Sequence, residues 1–349
     1  MLTPAGKIRL LLELLLILLF AIVLLNFRLV DYGIAQLTGQ LSLVRNARPV
    51  EELLEDPSVP DSLKSRLRFI ADVERFGVEA LGLRPTSNYR TYYDQHGRPL
   101  LWVVTASEPY SLKPYTWKFP LLGEVSYKGY FVKEKAAQLA DDIRKQGYDV
   151  YDYDVGAWST LGWFSDPILS GMLWRSDGRL AELILHELTH ATVYLESNVD
   201  LNENLASFVG EQGALLFLSR KYGDTSAVCA SYVNRLKDDE LLTRHLVRGA
   251  AALQRLYATG PFERKEDSRP RLKQAMMDSV VATLDTVPFS DKSRFKNAFA
   301  GREWNNAHFL SYLRYDARKD SLKEVMQRIY GGSLRRMILS LDKAAVVSQ

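Results

Sequence analysis

Residues 178–209 read GRLAELILHELTHATVYLESNVDLNENLASFV, and this stretch decides how the chain folds. From Gly178 to Glu196 the apolar residues (Leu180, Leu183, Ile184, Leu185, Leu188, Ala191, Val193 and Leu195) run nearly all round a helix, which predicts that the helix is buried. Inside it stands His186-Glu187-Leu188-Thr189-His190. At 3.6 residues per turn the two His fall about 40° apart and roughly 6 Å along the axis, so both imidazoles can reach one ion. Glu187 sits on the flank of that face. Two His and a Glu on one stripe of a buried helix are costly unless something satisfies them, and a cation does so.

A third ligand follows. Twelve residues beyond His190, Asn202-Glu203-Asn204-Leu205-Ala206-Ser207-Phe208-Val209 opens another helix. The polar turn between them (Ser197, Asn198, Asp200, Asn202) lets this helix fold back antiparallel to the first. That puts Glu203 in the first turn, where the helix dipole favours its charge and its carboxylate can meet the His pair. Ser207, one turn on, is expected to hydrogen-bond a ligating imidazole from behind, with Asn202 as a second supporting residue. Glu211 and Glu182 are rival carboxylates on nearby faces. Glu187 is placed to take a proton from water activated on a metal.

The rest of the composition narrows the field. Lys and Arg number 45 against 42 Asp and Glu, a formal charge of +3, so no strong field gathers nucleic acid. A hydrophobic share of 47% with 25% charged residues is that of a globular chain. The single Cys229 excludes an internal disulfide, a thiolate zinc cluster and a CxxC redox centre. Any metal is therefore held by His and carboxylate, and zinc with three protein ligands and one open position suits that donor set.

The N-terminus departs from the average. Leu10 to Phe27 reads LLLELLLILLFAIVLLNF, with Glu13 its only charge. As a helix it is about 27 Å long, close to a bilayer core of about 30 Å. Lys7 and Arg9 precede it, and behind it Arg28 is offset by Asp31, which predicts a cytoplasmic N-terminus and an extracytoplasmic, periplasmic body on the cytoplasmic membrane. No small-residue cleavage site follows the run, so a retained anchor is expected over a cleaved signal.

Outward from the central stretch, Ile34, Leu37, Leu41 and Val44 have helical spacing, and Asp61 is expected to cap a helix running to about Leu81. LLWVVTAS from Leu100, WKFPLLGEVSYKGYF from Trp117 and the Tyr148–Val155 segment read as strands of a small sheet, with an amphipathic helix from Lys133 to Gln146. After Gly178 the period is helical to Leu341, broken near Gly223, Gly260–Pro261, Pro288 and Gly331–Gly332. The expected architecture is α+β and mostly helical. It divides into an anchor over 1–28, a helical stalk over 29–98 and a catalytic body over 99–349.

HELTH followed by NENLASFV is similar to the gluzincin metallopeptidases, in which two His and a Glu hold zinc. More closely, the chain resembles the bacterial "Putative aminopeptidase" family of membrane-associated, gluzincin-like proteins. The resemblance rests on QLSLVRNARPVEELLEDP from Gln40, Arg98-Pro99, TWKFPLLGEVSYKGYF from Thr116, YDVYDYDVGAWSTLGWFSDPILS from Tyr148, the HELTH and NENLASFV segments, and Asn305-Asn306-Ala307. It implies His186, His190 and Glu203 as zinc ligands, Glu187 as catalytic base and a peptide as substrate. Two departures stand out. Lys118 and Glu124 occupy the places where relatives often carry a Cys pair, and Ser207 stands where thermolysin-type gluzincins have Asp.

An exopeptidase also needs a carboxylate for the substrate's free ammonium, for which Glu124 and Glu211 are candidates. Tyr127, Tyr130 and His308 are available as oxyanion donors. The strand-like GEVSYKG could also pair with a peptide at the sheet edge. Two rival expectations are a membrane-tethered binding or assembly protein with an idle metal site, and an endopeptidase on the same chemistry.

Overall fold

The computed structural model describes residues 4–119, 123–155, 165–195, 198–259, 268–299, 304–313 and 319–347. The expected break at Gly260–Pro261 and part of the Tyr148–Ser170 segment lie outside them. The chain forms two compact units, Met1–Asn46 and Ala47–Gln349.

The first unit holds α1 (Pro4–Leu25) and α2 (Phe27–Asn46). Among the described residues no helix is long and apolar enough to cross a membrane. The expected spanning run, 10–27, lies partly on side chains outside the description.

The second unit begins with β1 (Arg48–Pro49), α3 (Val50–Glu55), α4 (Asp61–Phe76), a single π turn over Gly77–Leu81, and β2 (Thr91–Tyr93). Asp61 is the first residue inside α4, with Pro60 in the cap position, so it contributes its charge to the first turn and not a cap. Next come β3 (Leu101–Ser107), β4 (Trp117–Phe119), β5 (Gly123–Val125), β6 (Tyr127–Tyr130), α5 (Lys133–Lys145), β7 (Asp149–Val155) and β8 (Ile168–Leu169). Among the described residues the strands make three small sheets where one was expected. β6-β3-β7 is antiparallel, β4-β5 is a hairpin, and β8 pairs parallel to β2 in the order β1-β2-β8. Then follow α6 (Asp177–Thr192), α7 (Val199–Tyr222), α8 (Ala227–Thr259), α9 (Arg269–Ala282), α10 (Ser293–Phe299), α11 (Asn306–Leu313), α12 (Lys319–Tyr330) and α13 (Leu334–Val347).

The larger core is centred on α6. Leu180, Ala181, Ile184 and Leu185 are fully buried, and α7 brings Leu205, Phe208, Val209 and Leu218 against them. α4 joins the same core through Leu67, Ile70 and Val73, and the Phe217 ring meets Phe69 and Phe76 edge-on at 5.5 and 5.4 Å. The segment expected as a stalk up to residue 98 is thus, from Ala47 onward, part of the body. Its amphipathic pattern was readable, but the surface it packs on was not. A smaller core gathers Leu246, Leu253, Met277, Phe295 and Phe309 from α8, α9, α10 and α11, with Trp304 from just before α11. The Lys273 ammonium ties α9 to β7 through both Asp149 oxygens, at 2.6 and 2.5 Å.

Candidate metal centre

α6 and α7 position the site. α6 opens with Asp177 in its first turn and ends at Thr192, four residues before the expected end, where Val193 turns extended. α7 starts at Val199, with the Asn198 side chain accepting the Leu201 N–H at 3.2 Å. Glu203 therefore stands in the second turn of α7 and not the first. The connection is clamped by Asn202, whose Oδ1 accepts the Leu195 N–H while its Nδ2 donates to the Leu195 carbonyl, both at 2.8 Å. Asn202 is buried and spends its amide on the turn, so it fixes where α7 begins and does not support an imidazole. Ser207 makes no hydrogen bond with either imidazole among the described contacts.

The three expected ligands converge. One donor atom from each of His186, His190 and Glu203 lies within 4.8 Å of the others. The two Nε2 atoms are 3.1 Å apart, and the Glu203 carboxylate reaches His186 Nε2 at 3.6 Å and His190 Nε2 at 3.5 Å. Tetrahedral zinc with bonds of 2.0–2.1 Å sets its ligand atoms about 3.3 Å apart, so these three edges fit such an ion. All three side chains are largely buried, His190 most of all.

The two imidazoles differ in their electrostatics. Burial acts to lower the His186 pKa, but the hydrogen bond to Glu203 and the charges of Glu187, Glu203 and Glu182 outweigh it, and the net shift is upward. His190 is pushed down to about 4 by burial and by the His186 charge, against a smaller pull from Glu203. The pair thus takes one proton readily and resists a second. A neutral imidazole facing a carboxylate is the state a metal requires of its ligands.

Glu187 is half-buried on the flank of α6, and its charge reaches His186 and Tyr89. Nothing in the sequence marks Tyr89. It is buried, its backbone is left-handed at φ 62°, and its N–H donates to the Asp166 carbonyl at 2.8 Å. Burial, then the carboxylates of Glu187, Asp166 and Glu74, hold its phenol well above the ordinary range. Of the rival acids, Glu182 is already engaged, by Arg179 Nη1 and the Tyr232 hydroxyl, each at 2.6 Å.

The described contacts of the remaining candidates lie elsewhere. Glu124 is exposed on the hairpin, directly across from Lys118, with Oε1 3.2 Å from the ammonium. A cross-strand ion pair thus joins these two positions of the hairpin. Tyr127 is exposed, Tyr130 is buried with the Lys128 ammonium 5.6 Å above its ring, and both belong to β6. His308 is buried in the smaller core region, bonded to Asn305 Oδ1 at 2.9 Å and stacked on Tyr151 at 4.0 Å.

The family described as "Putative aminopeptidase" matches residues 31–346. The chain belongs to that family. Its membership supports a peptidase function, and the family's match takes in both helices of the site and the core around them. No curated protein and no solved structure matches the chain.

Proposed function

We propose that this member of the aminopeptidase family is a zinc-dependent metallopeptidase of gluzincin type, with His186, His190 and Glu203 as ligands and Glu187 as general base. The observation that carries the reading is the meeting of two imidazoles and one carboxylate, from two helices, at edges of 3.1 to 3.6 Å. Zinc, when bound, would supply a Lewis acid for the scissile carbonyl and acidify the attacking water. Glu187, one residue from a ligand, accepts that water's proton and passes it to the leaving amine nitrogen. The lowered pKa of His190 favours its neutral, coordinating form, while the raised pKa of His186 means that an ion displaces a proton there. Exopeptidase action follows from the family alone. Glu124, exposed and paired with Lys118, is poorly suited to bind a substrate ammonium, which leaves Glu211 as the other acid the sequence offers for that role.

The N-terminal run is proposed as a membrane anchor with the body outside the cytoplasm. Leu12, Leu14, Leu15, Ile17, Leu18, Phe20 and Leu24 are each more than half exposed, an apolar surface that suits lipid.

Metal analysis of the purified chain beside Glu187→Gln tests the reading. Both should hold near-stoichiometric zinc, and the variant should lose about 10²–10⁴-fold in peptide hydrolysis. Zinc retained in both with equal activity, or no cleavage of a peptide library by either, leaves the idle-site alternative standing. Cleavage of N-blocked peptides marks an endopeptidase.

A further inference from the structure

Helix interiors disfavour glycine, yet α7 carries Gly210 and Gly213 in its middle turns. Gly210 lies two turns after Glu203, about 20° round the same face. A Cβ on Gly210 would stand 2.8 Å from the Glu182 carbonyl oxygen, 3.3 Å from His186 Cβ and 3.4 Å from the His186 nitrogen. These are mostly backbone atoms of α6, at and one turn before the first ligand, so they cannot rotate away. A Cβ on Gly213 would meet Leu185 Cδ1 at 2.8 Å and Leu81 Cδ1 at 3.0 Å, the far ends of flexible side chains.

The geometry points to Gly210 as the positioning residue of the metal centre. It lets the α7 backbone rest directly on α6 beside His186, and that contact sets the separation across which Glu203 must reach both imidazoles. Any side chain there forces the helices apart at the ligand, while one at Gly213 is absorbed by leucine rotation. Glu203 is already 3.5 and 3.6 Å from the two Nε2 atoms, so added separation takes its carboxylate out of a shared coordination sphere. This inference rests on the metal reading proposed above.

The test uses the full chain and zinc itself, titrated against a chromophoric chelator, with the melting temperature of the metal-free protein as a second readout. Gly210→Ala should bind zinc at least about tenfold more weakly than wild type, the size of effect seen when ligand orientation is disturbed. Gly213→Ala should bind it as wild type does, at a similar melting temperature. Unchanged affinity in Gly210→Ala, or equal weakening in both variants, overturns the inference. If Gly210→Ala does not fold, Glu203→Asp decides. A spacing held by backbone contact leaves the shorter carboxylate out of reach and zinc affinity falls, whereas tight zinc in Glu203→Asp means the helices can close and Gly210 sets nothing. A wild-type chain that takes up no zinc defeats the metal reading itself, and this inference with it.

Discussion

The two cores of the body each bury histidine, and they treat it differently. In the smaller core, His245 turns Nε2 to the Val280 carbonyl at 2.8 Å, and His308 bonds Asn305 and stacks on Tyr151. Each ring there bonds a neutral protein group through one nitrogen, with no carboxylate among these partners. In the larger core, His186 and His190 point their Nε2 atoms at one another with a carboxylate beside them. One proton can bridge two such nitrogens, but a cation serves both at once. A buried histidine is thus a poor sign of chemistry by itself. A pair whose acceptors converge is a good one.

The comparison can be broken most severely at the ligands. Glu203→Ala or His190→Ala should abolish stoichiometric zinc and hydrolysis together, whereas His245→Leu should leave the zinc content unchanged. That second variant should cost about 1–3 kcal/mol of stability through the weakened pairing of the Val280 carbonyl, read by denaturant unfolding. Zinc lost from His245→Leu, or kept in Glu203→Ala, would erase the distinction between the two regions.

A smaller effect is expected at the clamp. Asn202→Ala leaves both polar groups of Leu195 without their partner, for about 1–3 kcal/mol of stability, and frees the start of α7. Zinc affinity should fall with it, though less than on removal of a ligand. A fully stable Asn202→Ala would mean that the turn finds other partners.

Protonation sharpens the contrast further. The folded His190 pKa is about 4 against an ordinary 6.5, so between those values the unfolded chain binds the extra proton. Its effect on the metal-free protein is therefore a stability that rises with pH from about 4 to 6.5 and is flat above. His186, shifted upward, has the opposite sign. It stabilises fully below its ordinary 6.5, and that contribution is lost as pH climbs through its folded value. His190→Gln should flatten the acid limb of metal-free unfolding curves. An unchanged limb would show that His190 is protonated in the fold.

The smallest effect is expected furthest from the site. Lys118 and Glu124 are an exposed pair, so Lys118→Ala should change stability by less than about 1 kcal/mol and leave zinc untouched.

Much of this was legible from side-chain pattern. The core helix, buried on one side where burial nearly all round was expected, the spacing of its two His, the acid on the returning helix and the strands at Leu101 and Asp149 all follow from periodicity and turn chemistry. Less legible were features that depend on what an element meets. α4 showed an apolar stripe but not the α6 core it joins. Asn202 was readable as polar near the site, but its bond to the Leu195 backbone depends on how the turn closes. Gly210 shows only as a glycine in a helix, since the backbone it touches lies on α6. Tyr89 feels the charge of Glu187 through the tertiary fold, in a segment tied to the Asp166 carbonyl and followed by the β2–β8 pairing.

Everything above turns on two imidazoles and one carboxylate sharing a single ion. X-ray absorption at the zinc edge of the purified chain tests it most directly. The expected spectrum shows zinc with two imidazole nitrogens, oxygen in the remaining positions and no sulfur, and the loss of one oxygen ligand or of the metal itself in Glu203→Ala. A spectrum without histidine, or a wild-type chain that stays free of zinc when the ion is supplied and the excess removed, would contradict it.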